Sequence, residues 1–218
     1  MLKKSVLSVV CAVVTGLSYA GTASAATFTE VEDAGDTPMT AQSLGGNVTK
    51  VVGTILTPDD ADLYVFPWQG GYFSATTETS ETTVDTQLFL FNPLGFGMTG
   101  NDDMPGGGEL LLFQSTISPL YLPAGDYFLG ISSFNNEPLS EDGTIFEPIS
   151  FPLEAPLRPF GPGGNSPLMG FNASGFEYGP YGVILSSGYT VAVPEPAMFL
   201  GLGAIAVSMG IILKGQNS

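Results

Sequence analysis

The sequence contains no histidine and only one cysteine, Cys11, and these absences exclude several common kinds of chemistry. Without histidine there is no Ser-His-Asp triad and no histidine ligand for zinc. Cys11 lies inside an apolar N-terminal stretch, so we expect a mature chain with no cysteine and no disulfide. Carboxylate chemistry remains available, because the chain has 21 aspartate and glutamate residues.

Positive charge is also scarce. Five Lys and Arg residues stand against 21 Asp and Glu residues, which gives a formal net charge of −16. Between the two ends of the chain only Lys50 and Arg158 are positive. Nucleic acid binding needs clustered Lys and Arg, so the composition argues against a nucleic-acid partner. A surface with this charge favours solubility outside the cell and attracts divalent cations.

The first 25 residues have the three parts of a secretory signal peptide. Lys3 and Lys4 form a basic start, and residues 5–20 carry no charge and are mostly apolar. Ala23 and Ala25 supply the small residues of an A-x-A cleavage site. We expect cleavage after Ala25 and export of the chain. An uncleaved N-terminal anchor is the alternative.

The middle of the chain, residues 27–193, is predicted to form one all-β domain, because charge is low and aromatics, Thr, Gly and Pro are abundant. Thr86–Phe91 is almost continuously apolar, which predicts a strand buried on both faces. The prediction is a single jelly-roll-like β-sandwich of about eight strands, with a closed barrel as the alternative. The strand candidates are residues 50–55, 62–66, 72–77, 86–91, 109–114, 119–122, 126–132 and 188–193.

Two segments of this domain have a different composition. Residues 27–46 are polar and acidic, which predicts an extended lead-in without regular structure. Residues 135–180 are rich in Pro and Gly, which predicts a long insertion before the last strand. The Ile, Phe and Leu residues of this insertion indicate that it packs over the domain.

The C-terminal segment, residues 194–218, begins with Pro194-Glu195-Pro196. Proline fixes the backbone, so this tripeptide stays extended and accessible to a processing enzyme. Residues 197–213 carry no charge and are almost wholly apolar, which predicts a transmembrane helix. A helix of 17 residues rises about 25 Å, slightly less than the hydrocarbon core. Lys214 follows and favours the cytoplasmic side.

The residues Val193-Pro194-Glu195-Pro196-Ala197, the apolar span and Lys214 together resemble the PEP-CTERM sorting signal of Gram-negative bacteria. The resemblance implies recognition by an exosortase, a membrane transpeptidase-like enzyme, and association with exopolysaccharide. The chain would cross the inner membrane, remain as a membrane-anchored precursor, and then reach the cell surface or extracellular matrix. The family usually ends in a cluster of Arg and Lys, whereas here Gly215-Gln216-Asn217-Ser218 follows Lys214, so an ordinary C-terminal anchor is the alternative.

Acidic residues recur in four groups near the predicted turns, the first being Asp33 with Asp36. Clustered carboxylates repel one another unless a cation or a hydrogen-bond donor relieves them. Ca²⁺ prefers such oxygen ligands, although the spacing is not that of an EF-hand. Solvated turn residues are the alternative. The candidate calcium ligands in the other three groups are Asp59, Asp60, Asp62, Asp85, Asn101, Asp102 and Asp103.

Residues 33–132 also resemble the bacterial pre-peptidase C-terminal domain, a β-sandwich module of secreted proteins. The resemblance implies an accessory module without catalysis, and some members of that family bind calcium or extracellular polymers. It rests on Asp33-Ala34-Gly35-Asp36 with Ala41-Gln42, Asp60-Ala61-Asp62-Leu63-Tyr64, Asp85 to Phe91, Asn101-Asp102-Asp103 and Leu122 to Leu129.

Three functions follow as hypotheses. The first is a non-enzymatic surface or matrix protein associated with extracellular polysaccharide, and the second is a calcium-stabilised accessory binding module. The third is a glycosidase that uses two carboxylates, for which Asp85 and Asp102 are the first pair to consider. The aromatic side chains that could stack on sugars are Trp68, Tyr72, Tyr178 and Tyr181, and core or hairpin packing is the alternative for them.

Overall fold

A computed structural model describes residues 26–77, 80–103, 113–147 and 156–186. These ranges contain thirteen β-strands and no α-helix, so none of them provides a membrane-spanning helix. The predicted signal peptide, the last predicted strand, the sorting motif and the C-terminal helix lie outside them. The strands are β1 (Ala26–Thr29), β2 (Gln42–Ser43), β3 (Val48–Ile55), β4 (Ala61–Trp68), β5 (Gly71–Thr76), β6 (Thr86–Phe91), β7 (Gly97–Asn101), β8 (Thr116–Leu122), β9 (Gly125–Ser133), β10 (Pro138–Ser140), β11 (Gly143–Thr144), β12 (Gly170–Phe171) and β13 (Gly179–Leu185).

Two five-stranded sheets form the body, in the orders β1-β3-β13-β5-β8 and β2-β4-β9-β6-β7. β1 and β2 are short edge strands that pair in parallel with β3 and β4. The remaining eight strands have the two-sheet order of a jelly roll, β3-β13-β5-β8 facing β4-β9-β6-β7. The predicted all-β jelly-roll sandwich is therefore confirmed, and the barrel alternative is wrong.

Most of the predicted strands are present. The candidates at residues 50–55, 62–66, 72–77, 86–91, 119–122 and 126–132 correspond to β3, β4, β5, β6, β8 and β9. The lead-in prediction was wrong in part, because residues 27–46 contribute to β1 and β2. β7 was not predicted at all, and residues 113–114, at the described end of the candidate 109–114, lie outside any strand.

The main hydrophobic core lies between the two sheets. Tyr127, Leu129 and Ile131 alternate along β9 and all face this core, as the period-2 pattern predicts. Phe66 of β4 stacks on Phe73 of β5, with ring centroids 4.9 Å apart. This stacked pair comes from opposite sheets, so aromatic packing connects the two layers.

A second core lies on the other face of β6. All six residues of β6 are buried, since Leu88 and Leu90 face the main core whereas Phe89 and Phe91 face the second one. Phe146, from the predicted insertion, packs on Phe89 at 5.2 Å between centroids. The predicted insertion is thus a packed layer over the second sheet, with its own small sheet in the order β11-β10-β12.

Candidate functional site

Strand pairing brings most of the predicted acidic residues to one end of the second sheet. β4 and β6 begin at this end, whereas β7 and β9 finish there, as the pairs Ala61 with Ser132, Thr86 with Ser133 and Leu88 with Asn101 demonstrate. Acids separated along the sequence therefore become neighbours. Two groups result: the Asp62 cluster, made of Glu30, Asp33 and Asp62, and the Asp102 cluster, made of Asp85, Asp102, Asp103 and Glu137.

The Asp62 side chain faces the protein interior. It shares a face of β4 with Tyr64 and Phe66, and it is completely buried. The Tyr181 hydroxyl donates a hydrogen bond to Asp62 Oδ2 at 2.6 Å, and Tyr64 Oη lies 2.6 Å from Tyr181 Oη. Because the hydroxyl hydrogen of Tyr181 is used on Asp62, Tyr64 is the donor to Tyr181. A chain of two hydroxyl groups thus supports one oxygen of the carboxyl group.

The other oxygen, Asp62 Oδ1, is buried and receives no hydrogen bond from a donor among the described residues, although the Glu30 carboxyl group lies within hydrogen-bonding reach of the Asp62 side chain. Glu30 and Asp33 lie beside Asp62, and one carboxylate oxygen from each of the three acids lies within 4.8 Å of the others. Glu30 is held in place by the backbone N–H groups of Ala34 at 3.0 Å and Thr54 at 2.8 Å. Backbone N–H groups therefore fix the Glu30 carboxylate in place, as the Tyr181 hydroxyl fixes that of Asp62.

Gly53 provides the space for this arrangement. A Cβ atom at this position would lie 2.3 Å from Tyr181 Oη and 2.7 Å from Glu30 Oε2. Contacts of that length require the cluster to shift. The absence of a side chain at Gly53 is therefore a steric condition for bringing Tyr181 and Glu30 together.

Burial raises the pKa of Asp62 from 3.8 to about 9, against the opposing hydrogen bond from Tyr181, and the neighbouring charge of Glu30 raises it further. A buried carboxylate without a counter-charge is costly, so either a proton or a cation must relieve it. Three carboxylates within 4.8 Å are the kind of oxygen ligands that Ca²⁺ takes. The Asp62 cluster can therefore hold a proton or a calcium ion.

An open acidic cleft of about 350 Å³ lies beside the Asp62 cluster. Asp33, Asp36, Asp59 and Asp60 are among its lining residues. Asp59 is exposed, whereas Asp60 accepts a hydrogen bond from the Leu56 N–H at 2.6 Å, and burial raises the pKa of Asp60. Of the three predicted ligands in this part of the chain, only Asp62 belongs to the group of three converging carboxylates.

The Asp102 cluster lies where β6 begins and β7 ends, beside Gln87. Asp102 is 1% exposed, and its carboxylate oxygens have no hydrogen bond of ideal geometry among the described residues, although the Gln87 side chain lies near enough to lower the pKa of Asp102 through a hydrogen bond. Asp85 Oδ1 and Gln87 Oε1 are also buried without partners there. The amide nitrogen of Gln87 donates to Glu137 Oε1 at 3.2 Å. This part of the chain thus leaves several oxygen acceptors unused at one place.

The acids of this cluster raise one another's pKa values. Burial raises the pKa of Asp85 to about 7, with a contribution from Asp103, and raises that of Asp102 to about 8, with contributions from Asp85 and Asp103. Burial also raises the pKa of Glu137, against the hydrogen bond from Gln87. The negative charges of Asp85 and Asp103 thus act on Asp102, although the group of three carboxylates whose oxygens lie within 4.8 Å of one another in the described residues is that of Glu30, Asp33 and Asp62.

Asn101, another predicted ligand, has a structural partner. Its Oδ1 accepts a hydrogen bond from the backbone N–H of Thr116 at 2.6 Å, and the side chain is 2% exposed. This bond connects the end of β7 to the beginning of β8. The amide oxygen of Asn101 is therefore engaged between the two sheets.

Positive side chains do not neutralise either cluster. Lys50 and Arg158 are the two cationic side chains in the described ranges, and Lys50 forms an ion pair with Glu81 at 2.5 Å. No hydrogen bond to a carboxylate of either cluster comes from Arg158 in this part of the chain. Within the described ranges, protons and cations from solution are therefore the available relief for the buried carboxylates of Asp62 and Asp102.

The exposed aromatic residues differ from those predicted. Trp68 and Tyr181 are 2% and 0% exposed, so sugar stacking is wrong for these two residues and the alternative, core packing, is confirmed. Tyr72 and Tyr178 are exposed. Tyr72 also contacts Tyr121, its cross-strand partner in β8, with centroids 5.9 Å apart and ring planes at 82°. Tyr121 was not among the predicted residues, because the sequence predicts the strand at residues 119–122 but not its pairing with β5.

The residues proposed for a glycosidase do come together, but in an unsuitable place. Asp85 lies close enough to Asp102 for its charge to raise the proton affinity of Asp102. The Asp102 side chain is buried, with 1% of its surface exposed. A polymeric substrate cannot contact a carboxyl group in that position.

Comparisons with known proteins give a distant likeness. No protein-family model and no curated protein matches the chain. Among solved structures, it is similar to the pre-peptidase C-terminal domain of a collagenase from Bacillus anthracis, with 11% identity and a TM-score of 0.35. The match covers 66% of this chain and 93% of that chain. It assigns the chain to no family, and what the fold and site define is an all-β jelly-roll module with buried, clustered carboxylates.

Proposed function

We propose that the chain is a non-enzymatic, exported protein of the cell surface or extracellular matrix, sorted by a PEP-CTERM/exosortase-type system. The observation that carries the proposal is the order of three segments. An A-x-A site at Ala23 and Ala25 precedes the sandwich, and Val193-Pro194-Glu195-Pro196 separates the sandwich from the apolar residues 197–213. An exported protein processed at both ends needs such an arrangement.

Mass spectrometry of the protein from its native host tests this proposal. The expected mature protein begins at Ala26 and has lost the apolar residues 197–213. A variant with Pro194→Ala and Pro196→Ala removes the rigid prolines and is expected to keep the tail, whereas Pro180→Ala, which changes a proline inside the described domain, is the matched control. A wild-type protein that retains Ser218 at its C-terminus would contradict processing by an exosortase.

The Tyr72–Tyr121 pair supports an association with extracellular polysaccharide. Tyr72 is 69% exposed and Tyr121 is 65% exposed, and both project from the outer face of the first sheet. Tyrosine rings offer an apolar surface and a polar hydroxyl, which suits contact with a hydrated polymer. We expect the double variant Tyr72→Ala and Tyr121→Ala to lose binding to host polysaccharide, whereas Tyr178→Ala, at an exposed tyrosine elsewhere, retains it. Equal binding by all three proteins would contradict a role for the pair.

A second candidate function is a calcium-stabilised accessory module, and the Asp62 cluster favours it. Calcium that binds only to the folded state stabilises it and so raises the unfolding temperature. At a calcium concentration one hundred times the dissociation constant, the free energy of unfolding increases by about 2.7 kcal/mol. Thermal unfolding in calcium and in chelator measures this difference. The part due to the Asp62 cluster is expected to disappear in Asp62→Asn. An unchanged midpoint in the wild-type protein would contradict the candidate.

A further inference from the structure

We propose that the outer face of the first sheet binds an uncharged polysaccharide, which lies along β5 and β8. This inference rests on the polysaccharide association proposed above and adds the place of binding and the charge of the polymer. The inner face of the sheet belongs to the main core, whereas its outer face carries Tyr72, Tyr121 and Ile184, which are all exposed. The second sheet differs, because the layer of β10, β11 and β12 packs on its outer face.

Alternation along the strands determines which side chains form the outer face. Phe73 and Ala75 of β5 belong to the main core. Side chains alternate between the two faces of a strand, so the residues on either side of them face outwards. The register of pairing then gives the outward residues of the neighbouring strands β8 and β13. The outward side chains of these three strands include Tyr72, Ser74, Thr76, Thr116, Tyr121 and Ile184.

The first sheet carries no acidic residue. None of the sequences of β1, β3, β5, β8 and β13 contains Asp or Glu, although the chain has 21 of them. The one cation of the sheet, Lys50, forms an ion pair with Glu81, so these two charges cancel. The two acidic clusters lie instead at one end of the second sheet. A strongly acidic protein thus presents one neutral face.

The outer face combines aromatic rings with hydroxyl groups. Tyr72 and Tyr121 form the T-shaped pair at one end of β5. At the other end of β5, Thr76 Oγ1 lies 2.7 Å from Thr116 Oγ1. Four residues along a strand span about 13 Å, so an extended sugar chain can contact both pairs. Tyrosine rings suit the apolar faces of sugars, and the hydroxyl groups of the protein can exchange hydrogen bonds with those of the polymer.

The charge of the protein favours an uncharged polymer over other occupants. A polymer with carboxylate groups would be repelled by the net charge of −16, and the cation of this sheet is already paired with Glu81. A second copy of the chain carries the same net charge and would also be repelled. A basic partner would be attracted to the acidic clusters rather than to this face. A neutral polysaccharide meets none of these objections.

Polysaccharide from the host, before and after chemical reduction of its carboxyl groups to alcohols, tests the charge of the polymer. The full-length protein is used in a polyoxyethylene detergent, whose head group is not a sugar, and in chelator, so that calcium cannot bridge acidic chains. We expect the reduced polymer to bind at least as tightly as the native one, with an affinity that salt does not change. Loss of binding after reduction would overturn the inference and leave the polysaccharide association standing, whereas binding of neither polymer would contradict the association itself.

Two substitutions at one position test the place of binding. Ser74 lies on β5 between the tyrosine pair and the threonine pair, so Ser74→Asp puts a carboxylate under the polymer, whereas Ser74→Asn is uncharged and has the same shape. A carboxylate must lose water when a neutral polymer covers it, so Ser74→Asp should weaken binding by about tenfold or more. Ser74→Asn should remain within about threefold of the wild-type affinity. Equal affinities of the two variants would overturn the proposed site.

Urea unfolding checks that both variants fold. If Ser74→Asp does not fold, Thr116→Asp and Thr116→Asn in the neighbouring strand take the place of the first pair, with the same expected difference. Sedimentation without polymer tests whether a second copy covers the face instead. The wild-type protein is expected to be a monomer, and a dimer that the aspartate variant dissociates would overturn the proposal.

Discussion

Replacing Asp62 by asparagine should change how the stability of the calcium-free protein depends on pH. The pKa of Asp62 is about 9 in the folded protein, against 3.8 for an unperturbed aspartate. Between these values the folded state keeps a proton that the unfolded state has lost. Stability therefore decreases as the pH rises, at about 1.4 kcal/mol per pH unit for one proton. The asparagine side chain has no titratable proton, so this contribution is absent from the variant.

The substitution is suited to the purpose because an asparagine resembles the protonated acid. Its amide oxygen can accept the Tyr181 hydroxyl, and its NH₂ group can donate to the Glu30 carboxylate. Urea unfolding in chelator from about pH 5 to pH 8, inside the window set by the two pKa values, measures the slopes. The slope for Asp62→Asn should be less steep than that of the wild-type protein by about 1.4 kcal/mol per pH unit.

Asp126→Asn is the control, because that side chain is exposed and should leave the slope unchanged. Asparagine is neutral, as protonated Asp62 is, so the difference between slopes reports the proton that Asp62 holds beside Glu30. Equal slopes for Asp62→Asn and the wild-type protein would refute the reasoning, since they would mean that the folded state holds Asp62 ionised. In excess calcium the difference should vanish if the ion occupies this cluster, because a ligand carboxylate must be deprotonated.

Three further substitutions test the packing. Gly53→Ala should cost about 1–3 kcal/mol in urea unfolding, because its Cβ would lie 2.3 Å from Tyr181 Oη and 2.7 Å from Glu30 Oε2; a neutral result would contradict the close packing there. Phe146→Ala should cost about 3–5 kcal/mol in a single transition, whereas a small loss would mean that the third layer unfolds independently. Asn136→Ala should lower the free energy of unfolding by about 2–3 kcal/mol in calorimetry. The substitution removes two hydrogen bonds to backbone carbonyls of the turn before β4 and one from a backbone N–H. An unchanged unfolding midpoint would contradict this role.

The strands that could be predicted are those whose buried residues form a local sequence pattern, either a continuous apolar run or an alternation of apolar and polar residues. Thr86–Phe91 is apolar throughout, and alternation marks β9. β7, by contrast, has the sequence Gly-Met-Thr-Gly-Asn, which has little strand propensity of its own, and its structure depends on pairing with β6. β2 contains two polar residues and exists because it pairs with β4. Pairing between distant segments leaves no local pattern, so these elements could not be predicted.

The same difference separates the site residues that were predicted from those that were missed. Asp62, Asp85 and Asp102 are acids beside predicted turns, which is a local signal. Glu30 reaches the Asp62 cluster because the chain after β1 runs beside β3, where the Glu30 N–H bonds the carbonyl of Val52. Glu137 lies in the predicted insertion and reaches Gln87 across the sheet. Their contribution depends on tertiary contacts, so composition gives no indication of it.

One signal was nonetheless available in the predicted strands. Asp62 is in phase with Tyr64 and Phe66, and Gln87 is in phase with Phe89 and Phe91, so each polar side chain occupies the first position on one face of an aromatic strand. Both positions lie at the end of the second sheet where β4 and β6 begin. Asp62 shares its face with residues of the main core, whereas Gln87 shares its face with residues of the second core, so the two lie on opposite faces of the sheet. Burying polar groups there costs free energy, whereas the rest of each strand gains free energy from its apolar side chains. The protons and ions that affect the stability of this acidic protein should therefore act mainly at that end of the sandwich.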